Sequence, residues 1–432
     1  MLCTSQQLLN LNWIKNCDDS SKIIGYCAVN FNNTEHSFNN PFMNPLRWYI
    51  FCRVIDNLGD AGVCLRLARE LAGRGQLIEL WIDRPGILDW MEPSLHPHIK
   101  VFDWPNEGAM TEHTNDDQGG VSPTGYGLND SVDVIVEAFG CEIPESFKKI
   151  LSKQAEQGTQ KTQWINLEYL SAESYAEQNH GLLSPVLSGP GVGAKKWFFY
   201  PGFTERTGGL ILEQSVHQKI IQSQPSPPPS LSRRKTRLRV GLFCYAHAPL
   251  KSLLDTIKHQ DWADNGITLN IPQGEAQRIV NQSIDEFASH DGLSHVDIDV
   301  CNFDRLTQNE FDEMLWSNDL NFVRGEDSLV RAIWVGKPWI WQIYKQSDGA
   351  HETKLNALLD LLNCPHFVKE IHWSWNQCSG DTFTLASMRD VEKWSQWSAW
   401  CLQIRSKLTE QADLVTQLMA FVDEKRQKTV ES

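Results

Sequence analysis

Between residues 46 and 343 the chain alternates short apolar runs with stretches of helical spacing. Trp48–Ile55 reads as a buried strand, and Asp60 to Leu71 as a helix whose Val63, Leu67 and Leu71 share a face. Further strands are predicted at Ile78–Asp83, Val101–Trp104 and Val132–Glu137. The second half repeats the pattern at Leu238–Phe243, Thr268–Ile271, Val296–Val300, Leu320–Val323 and Pro338–Ile343. Short apolar strands alternating with helices predict parallel, doubly wound α/β sheets, here two Rossmann-like domains facing across a cleft. From Val391 onward charges interleave with apolar residues in a helical pattern. Trp394, Trp397 and Trp400 recur there near helical spacing, which reads as a packed face.

Three stretches interrupt the alternation. Residues 1–44 are rich in Asn, Ser and Cys without sustained period, so the working fold is expected to begin near Met43, just before the first strand. Residues 105–130 are polar and Gly-rich, a surface loop. Ser223–Ser230 carries a proline run that no sheet interior accepts, and Arg233-Arg234-Lys235 follows it. The expected organisation is a leader (1–44), an N-terminal domain (45–222), a linker (223–236), a C-terminal domain (237–390) and a helical tail (391–432).

Composition narrows the function classes. A net charge of −15 over 432 residues argues against a protein that coats nucleic acid. No apolar stretch approaches the roughly 20 residues of a membrane helix, and no signal peptide is visible, so a soluble, cytoplasmic protein is expected. Eleven cysteines without a C-x-x-C pair suggest reduced thiols rather than a zinc ribbon or disulfide framework.

Two segments lie just past predicted strand ends, where open α/β sheets bind ligands. In the first, Asp56-Asn57-Leu58-Gly59-Asp60-Ala61-Gly62, two carboxylates stand four apart among glycines. Capping of the following helix by either acid explains this segment as simply, and is compatible with catalysis. The second segment, Arg324-Gly325-Glu326-Asp327-Ser328, precedes a helix whose first amides offer an anion site, so a diphosphate could sit there without a metal. Capping is the competing account; Gly325 and the crowding of two acids on one turn favour function. Gly189–Lys196 looks like a phosphate loop but fits neither G-x-x-x-x-G-K-[ST] nor G-x-G-x-x-G, and reads as a turn before Trp197–Tyr200. That aromatic run reads as core, or at a domain junction as a stacking surface for a base.

Phe51–Val63, Ile165–Glu173, Phe199–Thr204, Asn321–Arg331 and Gly336–Tyr344, in this order, resemble the signature blocks of the EarP protein-arginine rhamnosyltransferases. The resemblance implies a GT-B glycosyltransferase, dTDP-β-L-rhamnose as donor, an arginine of elongation factor P as acceptor, and inversion, with no metal or other cofactor. By motif position it implies Asp60 as general base, Asp56 as its partner in holding the guanidinium, and Glu326 as the essential acid of the donor side. Asn57 and Gly59 fall on the acceptor side. Donor contacts would fall on Phe198, Tyr200, Gln308, Phe311, Asp327 and Ser328, with Arg324 and Gly325 in the same turn. The chemistry is consistent: an arginine, never deprotonated in water, must be desolvated and polarised by carboxylates before its nitrogen attacks. The competing classes are a non-catalytic nucleotide-binding protein, in which the acids are caps, and a nicotinamide oxidoreductase, which lacks its glycine fingerprint after the first strand.

Overall fold

The computed structural model describes residues 44–55, 58–104, 132–158, 160–223, 237–258, 266–291, 297–345, 349–380, 382–385 and 390–431. The strands are β1 Arg47–Cys52, β2 Leu77–Ile82, β3 Ile99–Asp103, β4 Val134–Ala138, β5 Gln163–Leu167, β6 Leu183–Pro185, β7 Lys195–Phe199, β8 Leu238–Leu242, β9 Ile267–Pro272, β10 Ile298–Phe303, β11 Leu320–Arg324 and β12 Trp339–Gln342. Between them lie the helices α1 Gly59–Gly73, α2 Leu88–Met91, α3 Glu145–Glu156, α4 Ser174–Asn179, α5 Gln214–Gln222, α6 Leu250–Lys258, α7 Glu275–Asp291, α8 Gln308–Ser317 and α9 Gly325–Val335. Four more, α10 Ala350–Leu361, α11 His366–Trp375, α12 Val391–Thr409 and α13 Leu414–Glu431, complete the chain.

Two sheets form. The first has the order β3-β2-β1-β4-β5-β7-β6, parallel except for the β6–β7 hairpin, and the second, β10-β9-β8-β11-β12, is wholly parallel. Within β1, Trp48, Ile50, Phe51 and Cys52 are fully buried, as expected of a strand covered on both faces. In each sheet the strand order reverses beside the first strand, between β1 and β4 and between β8 and β11. Loops leaving such neighbouring strands in opposite directions open a crevice at their carboxyl ends. The Gly189–Gly193 stretch is the loop of the β6–β7 hairpin, closed by Gly193 N–H donating to the Val186 carbonyl at 2.9 Å. Residues 105–131 and 224–236, where the loop and most of the linker were expected, lie outside the described residues, as does the leader through Met43.

The packing divides the chain differently from the expected boundaries. Phe203, Leu210, Leu212 and Val216 belong to the second domain's core, ahead of the linker, while Ile211 faces the first. The expected tail is two helices with different allegiances. On α12, Trp394, Trp397 and Trp400 pack into the second core; on α13, Leu414, Val415, Leu418 and Val422 return to the first. Arg74 pairs with Asp413, and Arg426 with Asp133, each at 2.8 Å, fixing that return. Apolar spacing shows that a helix has a buried face but not which core receives it. No described helix is long and apolar enough to cross a membrane.

Candidate active site

Both strand-order reversals open onto one cavity of about 1020 Å³. The segments after β1, β4 and β5 line one side, and those after β8, β9, β11 and β12 the other.

On the first-domain side stand Gly59 and Asp60, at the start of α1. The helix is capped at Leu58 without a side-chain bond, so Asp60 is not its N-cap. Its carboxylate reaches back, with Ile55 N–H donating to Oδ2 at 2.9 Å, which secures the β1–α1 turn while the residue stays 4% exposed at the cavity wall. A Cβ at Gly59 would meet nothing within 4 Å; one at Gly62 would make ordinary contacts with Gln308, Asp327 and Met91. Gly62 therefore faces the second domain rather than opening space for a ligand. Asp56 and Asn57 lie outside the described residues.

On the opposite side, Gly325 begins α9 with φ +64°, a left-handed conformation that glycine adopts without strain. Glu326 then reaches across the cleft: Leu170 N–H, in the segment after β5, donates to its Oε2 at 2.9 Å. The Ser328 hydroxyl accepts from Arg324 N–H at 3.0 Å and donates to the Arg324 carbonyl, so it shapes this turn instead of standing ready for a ligand. The Arg324 guanidinium lies over Phe243 and Tyr245, 4.7 and 4.8 Å from their centroids, and donates to the Cys244 carbonyl.

The two domains also meet along the cavity wall. Gln308 donates to the Gly62 carbonyl at 2.9 Å and accepts from Arg69 at 3.2 Å. Arg66 of α1 bonds Asp327, Glu213 and Asp312 at 2.8, 2.7 and 3.1 Å, and Arg331 of α9 binds the same Glu213 and Asp312.

Comparison with known proteins identifies this scaffold. The sequence model of the EarP family, elongation factor P (EF-P) rhamnosyltransferase EarP, matches residues 48–423. The chain belongs to the EarP family. It is 34% identical over 336 residues to the protein-arginine rhamnosyltransferase of Pseudomonas aeruginosa, covering 73% of this chain and 81% of that one. To the Shewanella oneidensis protein-arginine rhamnosyltransferase it is 31% identical over 402 residues, covering 88% and 98%. A solved structure described as the structural basis for EarP-mediated arginine glycosylation of translation elongation factor EF-P superposes with a TM-score of 0.51 at 23% identity, covering 88% of this chain and 99% of that one. The fold is GT-B, and the chain is a glycosyltransferase, a protein-arginine rhamnosyltransferase.

In this EarP-family enzyme Gly59, Asp60, Gln308, Phe311 and Arg324 to Ser328 all line the cavity, whereas Phe198 and Tyr200 do not. Phe199 points into the first core, so Phe198 beside it on β7 faces the other way, and Tyr200, just past the strand, meets Tyr175 edge-on at 5.8 Å. Gln308 and Asp327, expected as donor contacts, carry bonds between the domains. Burial outweighs the Arg66 and Arg331 guanidiniums at Asp327 and raises its carboxyl above the usual range. At Glu213 burial pulls the same way, but Arg331 and Arg66 outweigh it and lower the carboxyl to about 2. Sequence reasoning missed Arg66, Tyr169, Phe243 and Tyr245 as cavity residues. A signal was present for the last two, which follow β8 as Asp60's segment follows β1, each beside the strand where the order reverses.

Proposed function

We propose that this enzyme transfers L-rhamnose from dTDP-β-L-rhamnose to a specific arginine of elongation factor P in a single inverting displacement, which activates the factor to relieve ribosome stalling at polyproline. The observation that carries the reading is one cavity with a carboxylate on each wall, Asp60 after β1 and Glu326 after β11. Membership of the EarP family, and relatives named for protein-arginine rhamnosyl transfer, support the substrate pair.

In this reading Asp60 polarises the incoming guanidinium and takes its proton as the C–N bond forms. Its fixed carboxylate is partly desolvated, which strengthens its pull on a cation. Asp56, by motif position, assists in holding the acceptor. The leaving dTDP gathers negative charge. The first amides of α9 and the Arg324 guanidinium would meet that charge, in place of a metal. Glu326 ties the turn to Leu170 and so keeps donor and acceptor walls in register across the cleft. Phe311, edge-on to Phe243 at 5.0 Å, and Phe243 itself supply an apolar wall for the base. Phe198 and Tyr200 would reach a donor only outside this cavity. Ile55 and Tyr344, 67% and 55% exposed at its rim, offer apolar surface to a protein acceptor.

The test is to incubate purified enzyme with dTDP-rhamnose and elongation factor P and weigh the intact acceptor. One deoxyhexose should be added, on arginine. Asp60→Asn should bind donor normally and lower turnover by about 100-fold or more, the usual reach of general-base assistance. An unmodified acceptor, or an Asp60→Asn variant with near-normal turnover, would refute the assignment.

A further inference from the structure

Away from the acids of the cavity, one cluster among the described residues brings together three atoms of the kind that ligate transition metals. A ring nitrogen of His351, a carboxylate oxygen of Glu352 and Sγ of Cys378 all lie within 4.8 Å of one another. They come from two places in the chain. His351 and Glu352 are adjacent in the first turn of α10, and Cys378 follows α11. Cys378 is not in a disulfide.

The turn around Cys378 is held mainly by backbone and amide bonds, with the Cys378 thiol donating to the Asn376 carbonyl at 3.6 Å. Gln377 takes φ +60°, which turns the chain, and its side-chain amide donates to the His247 carbonyl at 2.9 Å. Cys378 N–H donates to the Trp373 carbonyl at 2.9 Å. Asn376, two residues before it, accepts from Ile343 N–H at 3.0 Å and donates to the Trp341 carbonyl at 2.8 Å, fixing the turn to the end of β12. A ligand set supported in this way meets a metal without reorganising the fold. Its chemistry is selective: thiolate, imidazole and carboxylate together are a borderline-soft set that suits zinc and disfavours magnesium or calcium. Ligand atoms around a tetrahedral zinc stand about 3.5 Å apart, against a spread of up to 4.8 Å here.

We propose that His351, Glu352 and Cys378 bind a zinc-type divalent cation, with water as fourth ligand, clamping the first turn of α10 to the turn after α11. On binding, the Cys378 thiol releases its proton to solvent as the sulfur–metal bond forms, with no change of oxidation state. The clamp would act on one wall of the cavity, because α10 also presents Lys354 and Leu358 there, and Ile343 and Tyr344 follow the strand that Asn376 secures. It stands apart from the proposed transfer chemistry and does not depend on it.

Cobalt(II) titrated into the full-length reduced protein reads the site directly. One Co²⁺ per chain should bind with the near-ultraviolet thiolate charge-transfer band and strong visible d–d bands of a tetrahedral site, and Zn²⁺ should displace it. Cys378→Ser should abolish the charge-transfer band. Glu352→Gln, a change at an exposed carboxylate that leaves the fold alone, should weaken binding by at least about tenfold. Absence of saturable binding by Co²⁺ and Zn²⁺, a charge-transfer band that survives Cys378→Ser, or unchanged affinity in Glu352→Gln would each overturn the proposal. The last decides the matter even if Cys378→Ser fails to fold.

Discussion

Replacing Arg66 by methionine tests whether the buried ion cluster holds the two domains together. The substitution keeps the apolar stem and removes the guanidinium. Arg66 is 1% exposed and pairs with Asp327, Glu213 and Asp312, while Arg331 makes direct pairs with the last two and acts on Asp327 only at a distance. The formal charge of the five-residue cluster is −1; without Arg66 it becomes −2, and Asp327 loses the guanidinium bonded to it. Breaking a buried pair in this way costs about 3–5 kcal/mol, a large part of a typical folding free energy of about 5–15 kcal/mol. Urea unfolding followed by tryptophan fluorescence reads the loss. The double variant Arg66→Met/Asp327→Asn restores the cluster to −1 and should recover about 1–3 kcal/mol, a coupling that independent sites would not show. Stability of Arg66→Met within about 0.5 kcal/mol of the parent, or strict additivity in the double variant, would refute the reasoning.

Gly325→Ala should lower stability by roughly 1–2 kcal/mol and turnover with it, since the added Cβ meets only Tyr245 Oη at 3.8 Å and the cost is its left-handed φ; Gly62→Ala should be neutral or stabilising in the same melt. Ser328→Ala should loosen the turn by about 1 kcal/mol, read by chemical unfolding. Phe311→Ala should weaken dTDP binding by about 1–3 kcal/mol in calorimetry. Glu213, lowered to about 2 in the folded state, gives stability that is present above its unfolded value near 4.5 and lost as pH falls from there toward about 2. Glu213→Gln should therefore destabilise at neutral pH and flatten that acid limb. Asp327, raised, has the opposite sign: its contribution is present below its unfolded value and lost as pH rises through the folded one, so Asp327→Asn should cost less at pH 7 than Glu213→Gln.

The central strands β1, β2, β4, β8, β9, β11 and β12 were legible as apolar runs, and the predicted 78–83 and 320–323 differ from the structure by a residue at the ends, whereas β5 and β7 were not predicted as strands. The Arg324–Ser328 turn was legible because strand, glycine and helix adjoin in sequence. What local pattern does not carry is pairing at a distance: Arg66 meets Asp327 across 261 positions, and Gln308 meets Gly62 across 246. The resemblance gave Gln308 and Asp327 as donor contacts, and in the structure both line the cavity and also bond the other domain. Asp60 shows the same limit at short range. An acid in a helix's first turn reads as a cap, and only the bond from Ile55 shows that it braces the preceding loop.

The return of α13 to the first domain has a consequence for synthesis on the ribosome. Multidomain chains usually complete their N-terminal domain first. Here the second core closes with Leu408, while the first still lacks Leu414, Val415, Leu418 and Val422, some of its most buried side chains. The domain translated first is thus finished last, its apolar face uncovered until nearly the whole chain has emerged. A nonsense codon or proteolytic cut between Leu408 and Leu414, far from the cavity in sequence, would leave that core open and sticky, and quality control would act on the amino-terminal half.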